Sequence, residues 1–584
     1  MFSLIKSTYL LFDSKDKKLF FSLIFLSFIA MITEIFGLSL IIPVVSVILN
    51  ENIYGLNSHL DKILLFFENP TRDFILYFFL SVFIFFYLFK SIFSTYLIFK
   101  QNSFLSFFKV KITKLIFETY LYKDYSFFLE VKSSIILRNI RRETDLFLDV
   151  VVQAIMVIIT EFLIVIGILS LLLYFQPLGS LAIFFVILIT VYLHRLFTKK
   201  ITYKYGKKRQ NSEAACIEVV QQSLSSIIIV KLKKIEPLIL KKFTYFANEE
   251  ADSQRFQATM QEIPRLWLEL VAVIGLVIFI ILMQSQSYST THVISTLAIF
   301  AAASFKILPS MNRIFTNMQK LRYGKPIMEA INLIYSDYQK ENNLNKTDTL
   351  KNNNDKDESD SKNFIQINNL EFKYKNQNSH IFSSLNFNFK KNQKIGIIGD
   401  SGSGKSTLIH LILGLLKPDQ GEVLFNSTNI ENIKNQYHKK IDYVPQNTYL
   451  SNDTILNNLI FGYTPDTKVD MDKIDKILSI LDLKDFVNNL PDKLNTVISE
   501  NSLNISGGQK QRISLARALY YQPDFLILDE STSALDEFSK LKIIENIFSY
   551  PKIKNILMVT HDLKSLQYCD KVYEIKNKNI TEIK

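Results

Sequence analysis

Apolar residues crowd into the first half of this 584-residue chain and thin out sharply after it. Six runs there are long enough to cross a hydrocarbon core of about 30 Å as helices rising about 1.5 Å per residue. They are Leu19–Leu49, Phe74–Phe99, Leu146–Phe175, Leu178–Leu196, Pro264–Met283 and Val293–Ile314. The first does not read as a secretion signal: its apolar run is too long, it holds Glu34 and Pro43, and no small-residue cleavage site follows. Ser336 to Asn363 is nearly all Asn, Lys, Asp, Glu and Ser, which cannot fill a core and reads as a flexible linker. After it, short apolar runs such as Phe364–Ile367, Lys394–Ile398, Phe525–Leu528 and Ile556–Thr560 alternate with helical periods. The pattern predicts a six-helix membrane domain over 1–335, a linker over 336–363 and an α/β domain over 364–584.

Charge orients the spans. Lys6, Lys15, Lys17 and Lys18 precede the first, and basic residues from Lys100 to Arg142 and from Arg195 to Arg255 fill two long inter-span segments. The other short loops hold only Lys62 and Arg72, so positive-inside places both termini in the cytoplasm. The net charge of +12 thus follows loop alternation and does not indicate a nucleic-acid partner. Hydrophobic residues at 48% and charged residues at 21% exclude disorder, and Cys216 and Cys569 lie in no metal or disulfide spacing.

A nucleotide site is written into the second half. Gly399-Asp-Ser401-Gly402-Ser-Gly404-Lys405-Ser406-Thr407 follows the strand KIGIIG and opens the helix TLIHLILGLL, the strand–loop–helix setting of a P-loop. Its glycines let backbone N–H groups wrap phosphates, Lys405 neutralises the terminal ones, and the Ser406 hydroxyl suits Mg²⁺. An anion-binding turn without chemistry would lack the rest of the site. Instead, Phe525–Leu528 ends in Asp529, suited to Mg²⁺, and Glu530, suited to polarising water.

Upstream, Asn504-Ile505-Ser506-Gly507-Gly508-Gln509 precedes KQRISLARAL. Together these motifs resemble the ATP-binding-cassette family, whose signature is LSGGQ; Ile505 replaces its Leu and leaves Ser506, Gly508 and Gln509 in place. The resemblance spans 364–584. It implies that Tyr374 stacks on adenine, that Gln446 in YVPQN is the loop glutamine serving metal and water, that Asp536 is the D-loop aspartate and that His561 is the switch histidine. It further implies ATP and Mg²⁺ as cofactors, and a homodimer whose two cassettes sandwich two ATPs, both hydrolysed. The fold class expected is an exporter-type all-α domain of six transmembrane helices fused to a cytoplasmic α/β P-loop cassette. By position, Ser133–Glu143 and Ser223–Ile235 are candidate coupling helices, and Glu500 matches the acidic position of the exporter X-loop.

Ionisable residues inside the spans are costly and face a cavity or a partner. Lys306 and Arg313, seven apart, share one face of the last span, while Lys90 and Arg265 lie near inner span ends where snorkelling serves equally well. EIFGLSLIIPVVS, EIPRLWLEL and KILPSMNRI resemble the bacterial lipid-linked-oligosaccharide flippases of N-glycosylation and their O-antigen relatives. That resemblance implies a phosphate-binding belt of Lys90, Arg265, Lys306 and Arg313 in the inner membrane, among membrane lipids, and an external helix in HLDKILLFF of the first outer loop. Two of the four are Lys, which keeps charge but loses the bidentate fork. Three functions remain in view: a flippase of polyprenyl-pyrophosphate glycans, an exporter of lipid A, drugs or other hydrophobic compounds, and a non-transporting regulator or ATP-gated channel. The filled catalytic positions weigh against the third.

Overall fold

The computed structural model describes residues 2–49, 71–175, 177–285, 290–351, 363–375, 377–462, 468–498 and 505–584. Contacts divide the chain into two compact units, Met1–Lys123 with Phe127–Lys351, and Asn352–Lys584 with Asp124–Ser126.

The first unit is all helical. Its elements are α1 (Phe2–Leu10), α2 (Ser14–Ser39), α3 (Ile41–Leu49), α4 (Arg72–Leu121) and α5 (Tyr125–Glu130). A helical run, α6, follows over Ser133–Phe175. Then come α7 (Pro177–Ser225), α8 (Ile227–Lys233), α9 (Glu236–Ser285), α10 (Thr290–Tyr323) and α11 (Lys325–Lys351). Each predicted span falls within one of these helices, except that the first breaks at Leu40. Pro43 accounts for the break, because it has no N–H to donate to the carbonyl four residues back. Among the described residues, α2, α4 and α6 are long and apolar enough to cross a membrane. At 50 residues α4 is about 75 Å long, over twice the core thickness, so the helices continue beyond the bilayer as expected.

That extension has its own core. Phe12 meets Phe108 at 5.0 Å, Phe104 stacks on Phe108 at 5.8 Å, and Ile112, Ile116 and Phe147 are fully buried beside them. Helix α2 opens with a capping box between Asp13 and Asp16, and Lys111 of α4 bridges both carboxylates. The Lys111 hydrogen bond, reinforced by the Asp16 amide, holds Asp13 down at about 2. Helix α6 turns π-helical at Asn139–Glu143 and Phe147–Val152. Within Ser133–Glu143, Ser134, Arg138, Asn139 and Glu143 are buried, whereas Ser133, Leu137, Arg141 and Arg142 are exposed. Ser223–Ile235 does turn a corner, with α8 bent 77° from the helix before it and Ile228, Ile229 and Leu232 exposed. Helix α11 runs on to Lys351, through much of the segment expected to be a linker. Apart from Pro326, which sits in its first turn, α11 contains no Pro or Gly to stop it. The linker remainder at 352–362, HLDKILLFF and Glu500 lie outside the described residues.

The second unit is α/β. An antiparallel sheet runs β2-β1-β4-β5, from β1 (Asn363–Phe372), β2 (Phe382–Lys390), β4 (Gln420–Phe425) and β5 (Thr428–Asn429). A six-stranded sheet runs β12-β11-β3-β10-β9-β6. Its strands are β3 (Lys394–Gly399), β6 (Ile441–Val444), β9 (Phe525–Asp529), β10 (Asn555–Val559), β11 (Lys571–Lys576) and β12 (Asn579–Glu582); only β12 pairs antiparallel. A two-stranded ribbon joins β7 (Asp453–Thr454) to β8 (Val497–Ile498). Strands β9 and β10 are buried at every position, which is why they read as unbroken apolar runs and not as alternations. The main cassette helices are α12 (Lys405–Ile412), α13 (Gly507–Tyr521) and α14 (Glu537–Phe548).

Candidate nucleotide and substrate sites

Four neighbouring parallel strands, β3, β10, β9 and β6, point their carboxyl ends the same way, and such an edge is where open α/β sheets bind ligands. The phosphate loop leaves β3, His561 follows β10, Asp529 and Glu530 end β9, and Gln446 follows β6. Residues scattered from Gly399 to His561 therefore meet by topology alone.

In the phosphate loop Gly402 and Gly404 have φ of +82° and +104°. A Cβ on Gly404 would stand 2.8 Å from Ile381 and 2.9 Å from Phe382, whereas Gly402 faces open space. Lys405 is 8% exposed, and its ammonium donates to the carbonyls of Gly399 at 2.7 Å and Asp400 at 3.0 Å. Ser401 and Ser406 are exposed, and Thr407 is buried with its hydroxyl 3.2 Å from that of Tyr374. Tyr374 thus stands beside the start of α12, braced edge-on by Phe372 at 5.1 Å.

Glu530 is held from two sides. Gln446 Nε2 donates to Oε2 at 2.7 Å, and His561 Nε2 lies 3.1 Å from Oε1. Its backbone has φ of +46°, a left-handed conformation that costs a non-glycine residue of order 1–3 kcal/mol. Strain of this kind persists where the surroundings over-determine it, here through the Glu530 amide bond to the Val559 carbonyl at 2.9 Å. A carboxylate so placed can accept a proton from water, with His561 as its partner.

Asp529 is 7% exposed; burial pushes its carboxyl upward, Glu530 adds to this, and a hydrogen bond from Tyr443 works against it. A cation beside Asp529 would therefore be favoured. The hydroxyl of Ser406, the carbonyl oxygen of Gln446 and the Asp529 carboxylate are hard oxygen donors of the type Mg²⁺ takes, so the donor set fits that ion. Mg²⁺ would supply charge neutralisation at the phosphates. Among the described residues no group of three or more His, Cys, Asp or Glu is placed to hold a metal.

Ser506 caps α13 reciprocally with Gln509, at 2.9 and 3.2 Å, and this sets its hydroxyl at the helix N-terminus, where anions are favoured. Gly508 approaches Leu535 and Ala534, where a Cβ would sit 3.1 and 3.2 Å away. Asp536 caps α14 through the Ser539 amide at 2.9 Å. One residue that the motifs do not single out joins these loops. Gln511 of α13 donates to the Ser533 hydroxyl at 3.1 Å and accepts from the Ala534 amide at 2.9 Å. Its spacing after the signature was the only available signal.

In the membrane domain the structure supplies each expected cation with a carboxylate. Lys90 lies 2.6 Å from Glu34, and Lys306 lies 3.4 Å from the same residue. Arg313 pairs with Glu161 at 2.6 Å, and Arg265 with Glu269 of its own helix at 3.0 Å. Lys90 is buried, whereas the side chains of Lys306 and Arg313 remain 38% and 60% exposed. Lys90 and Lys306 therefore converge, Arg313 stands two turns along α10, and Arg265 keeps to its own helix.

Two family profiles match, ABC transporter transmembrane region over residues 20–305 and ABC transporter over 382–533. The chain is 35% identical over 229 residues to ABC transporter B family member 6 of Dictyostelium discoideum, covering 37% of this chain and 33% of that one. It is 37% identical over 214 residues to the multidrug resistance-like ATP-binding protein MdlA of Buchnera aphidicola, covering 36% of each. These matches span little more than a third of either relative. An ATP-dependent lipid A-core flippase of Aliivibrio fischeri is 24% identical over 81% of this chain and 79% of its own. In fold the chain resembles a solved bacterial Atm1-family ABC exporter with ATP bound, at TM-score 0.77 and 16% identity over 97% of this chain and 94% of that one.

Proposed function

Because this chain is built as an ATP-binding-cassette exporter half-transporter, we propose that it works as a homodimer in the bacterial inner membrane, hydrolysing ATP to move a lipid with an anionic headgroup. The cargo we favour is a polyprenyl-pyrophosphate oligosaccharide. The observation that carries this is the pair Lys306 and Arg313, both exposed on one face of α10 and both backed by carboxylates from other helices. Cations held in this way are pre-positioned for a phosphate group, and Glu34 and Glu161 keep them ordered when no cargo is present. The exposed Ile228, Ile229 and Leu232 of α8 support the coupling role, since such a tip needs an apolar partner.

A second reading is export of lipid A or another hydrophobic compound. The name of the Aliivibrio relative supports it, and so does the neutralisation of the basic groups, which leaves a less cationic path than four unpaired charges would. Proteoliposomes separate the two. ATP-dependent flipping of a fluorescent lipid-linked oligosaccharide, competed by unlabelled substrate and not by lipid A, is the expected result. Flipping of lipid A alone would replace the first reading with the second.

A further inference from the structure

The phenol of Tyr443, three residues before the loop glutamine and given no role by the nucleotide motifs, donates to Asp529 Oδ2 at 3.0 Å. We propose that Tyr443 is a positioning residue for the metal carboxylate, fixing one oxygen of Asp529 so that the other is presented to Mg²⁺.

Strand pairing places it there. β6 and β9 run parallel with Tyr443 opposite Ile527 and Val444 opposite Leu528. Asp529 lies two residues beyond Ile527, on the same face of its strand, so the ring of Tyr443 spans the pleat toward it. The ring itself packs against the buried core that includes Phe525, Ile527 and Leu557, which fixes its direction. A nearly buried carboxylate with a single short side chain can rotate about its last bond, and a phenol donor from the next strand removes that freedom. Gln446 lies three residues beyond Tyr443 and donates to Glu530. The end of β6 and the loop that leaves it therefore hold both acidic residues at the end of β9.

The inference rests on the ATPase reading, and the test separates the two. Mn²⁺ serves as the metal probe, titrated by electron paramagnetic resonance into the full-length protein in nanodiscs with a non-hydrolysable ATP analogue. Tyr443→Phe removes one oxygen and keeps the ring. Mn²⁺ affinity should fall about tenfold, the order expected for losing a hydrogen bond to a charged group, while analogue affinity in EDTA is unchanged. The Mg²⁺ concentration for half-maximal ATPase should rise by the same factor, with kcat at saturating Mg²⁺ little altered. In an Asp529→Asn background, Tyr443→Phe should add nothing further. Unchanged Mn²⁺ affinity, an equal loss of analogue affinity in EDTA, or an independent effect in the Asp529→Asn background would each overturn the proposal. Failure of the unsubstituted protein to bind nucleotide would overturn the ATPase reading as well.

Discussion

Glu143 of α6 and Arg209 of α7 form an ion pair at 2.9 Å with side-chain exposures of 1% and 2%. Arg209 also bonds Glu213, and Arg142 closes on Glu213 at 3.0 Å. Burial pushes the Glu213 carboxyl upward, and the two arginines pull it back. Deleting one partner of such a pair costs more than the pair contributes, because a buried charge is left uncompensated. Arg209→Met should therefore destabilise the protein by about 3–5 kcal/mol, read as a lowered Tm in detergent. Adding Glu143→Gln and Glu213→Gln should recover part of the loss.

Glu530→Gln should leave ATP binding intact and lower turnover by about 10²–10⁴-fold, the range for removing a positioned general base. Nucleotide-trapping and phosphate-release assays run together check this. Hydrolysis close to normal would remove Glu530 as the base.

Lys405→Ala should act earlier in the cycle. The ammonium now bonded to the Gly399 and Asp400 carbonyls is the cation available to the phosphates. Its loss should weaken ATP binding measured by equilibrium titration, and unchanged affinity would count against the phosphate-loop assignment.

In the membrane, Lys306→Ala/Arg313→Ala should abolish flipping while basal ATPase persists. The double change leaves Glu161 without its Arg313 partner, so Glu34→Gln and Glu161→Gln added to it form the control for stability. Lys306→Arg should preserve or improve transport, since a guanidinium grips phosphate through two parallel bonds. Normal flipping by the double alanine protein would favour the hydrophobic-cargo reading.

Acid should weaken the cassette at one identifiable place. Burial pushes Asp562 up, but hydrogen bonds from Lys540, Ser565 and the Lys564 amide together hold it at about 2. A depressed carboxylate contributes stability above its unfolded value of about 3.9, lost as pH falls toward its folded value. The stability gap between the natural protein and Lys540→Met should accordingly be constant near neutrality and close below about pH 4, followed by thermal unfolding.

Motifs made the nucleotide site legible: Asp529, Glu530 and His561 lie at strand ends that the apolar runs already mark, and Lys405 opens the helix that follows the phosphate loop. Tyr443 was not, since its contact depends on β6 lying beside β9, a neighbour relation that local sequence does not encode. The pairing of the membrane cations was hidden for the same reason. Glu34 is 56 residues from Lys90 and 272 from Lys306, so only packing shows that one carboxylate serves both. The helical course of 336–351 was obscured by composition, because a solvated helix and a polar linker draw on the same residues.

The length of α4 has a mechanical consequence. If about 30 Å of its roughly 75 Å lies in the bilayer, some 45 Å projects beyond it as a stiff rod. A tilt of about 10° in the membrane would then sweep its far end through roughly 8 Å, more than one helical turn. Such a rod is a displacement amplifier, and it trades force for travel: rearrangements too small to disturb the packing among Glu34, Lys90 and Lys306 can still be large where the helix ends.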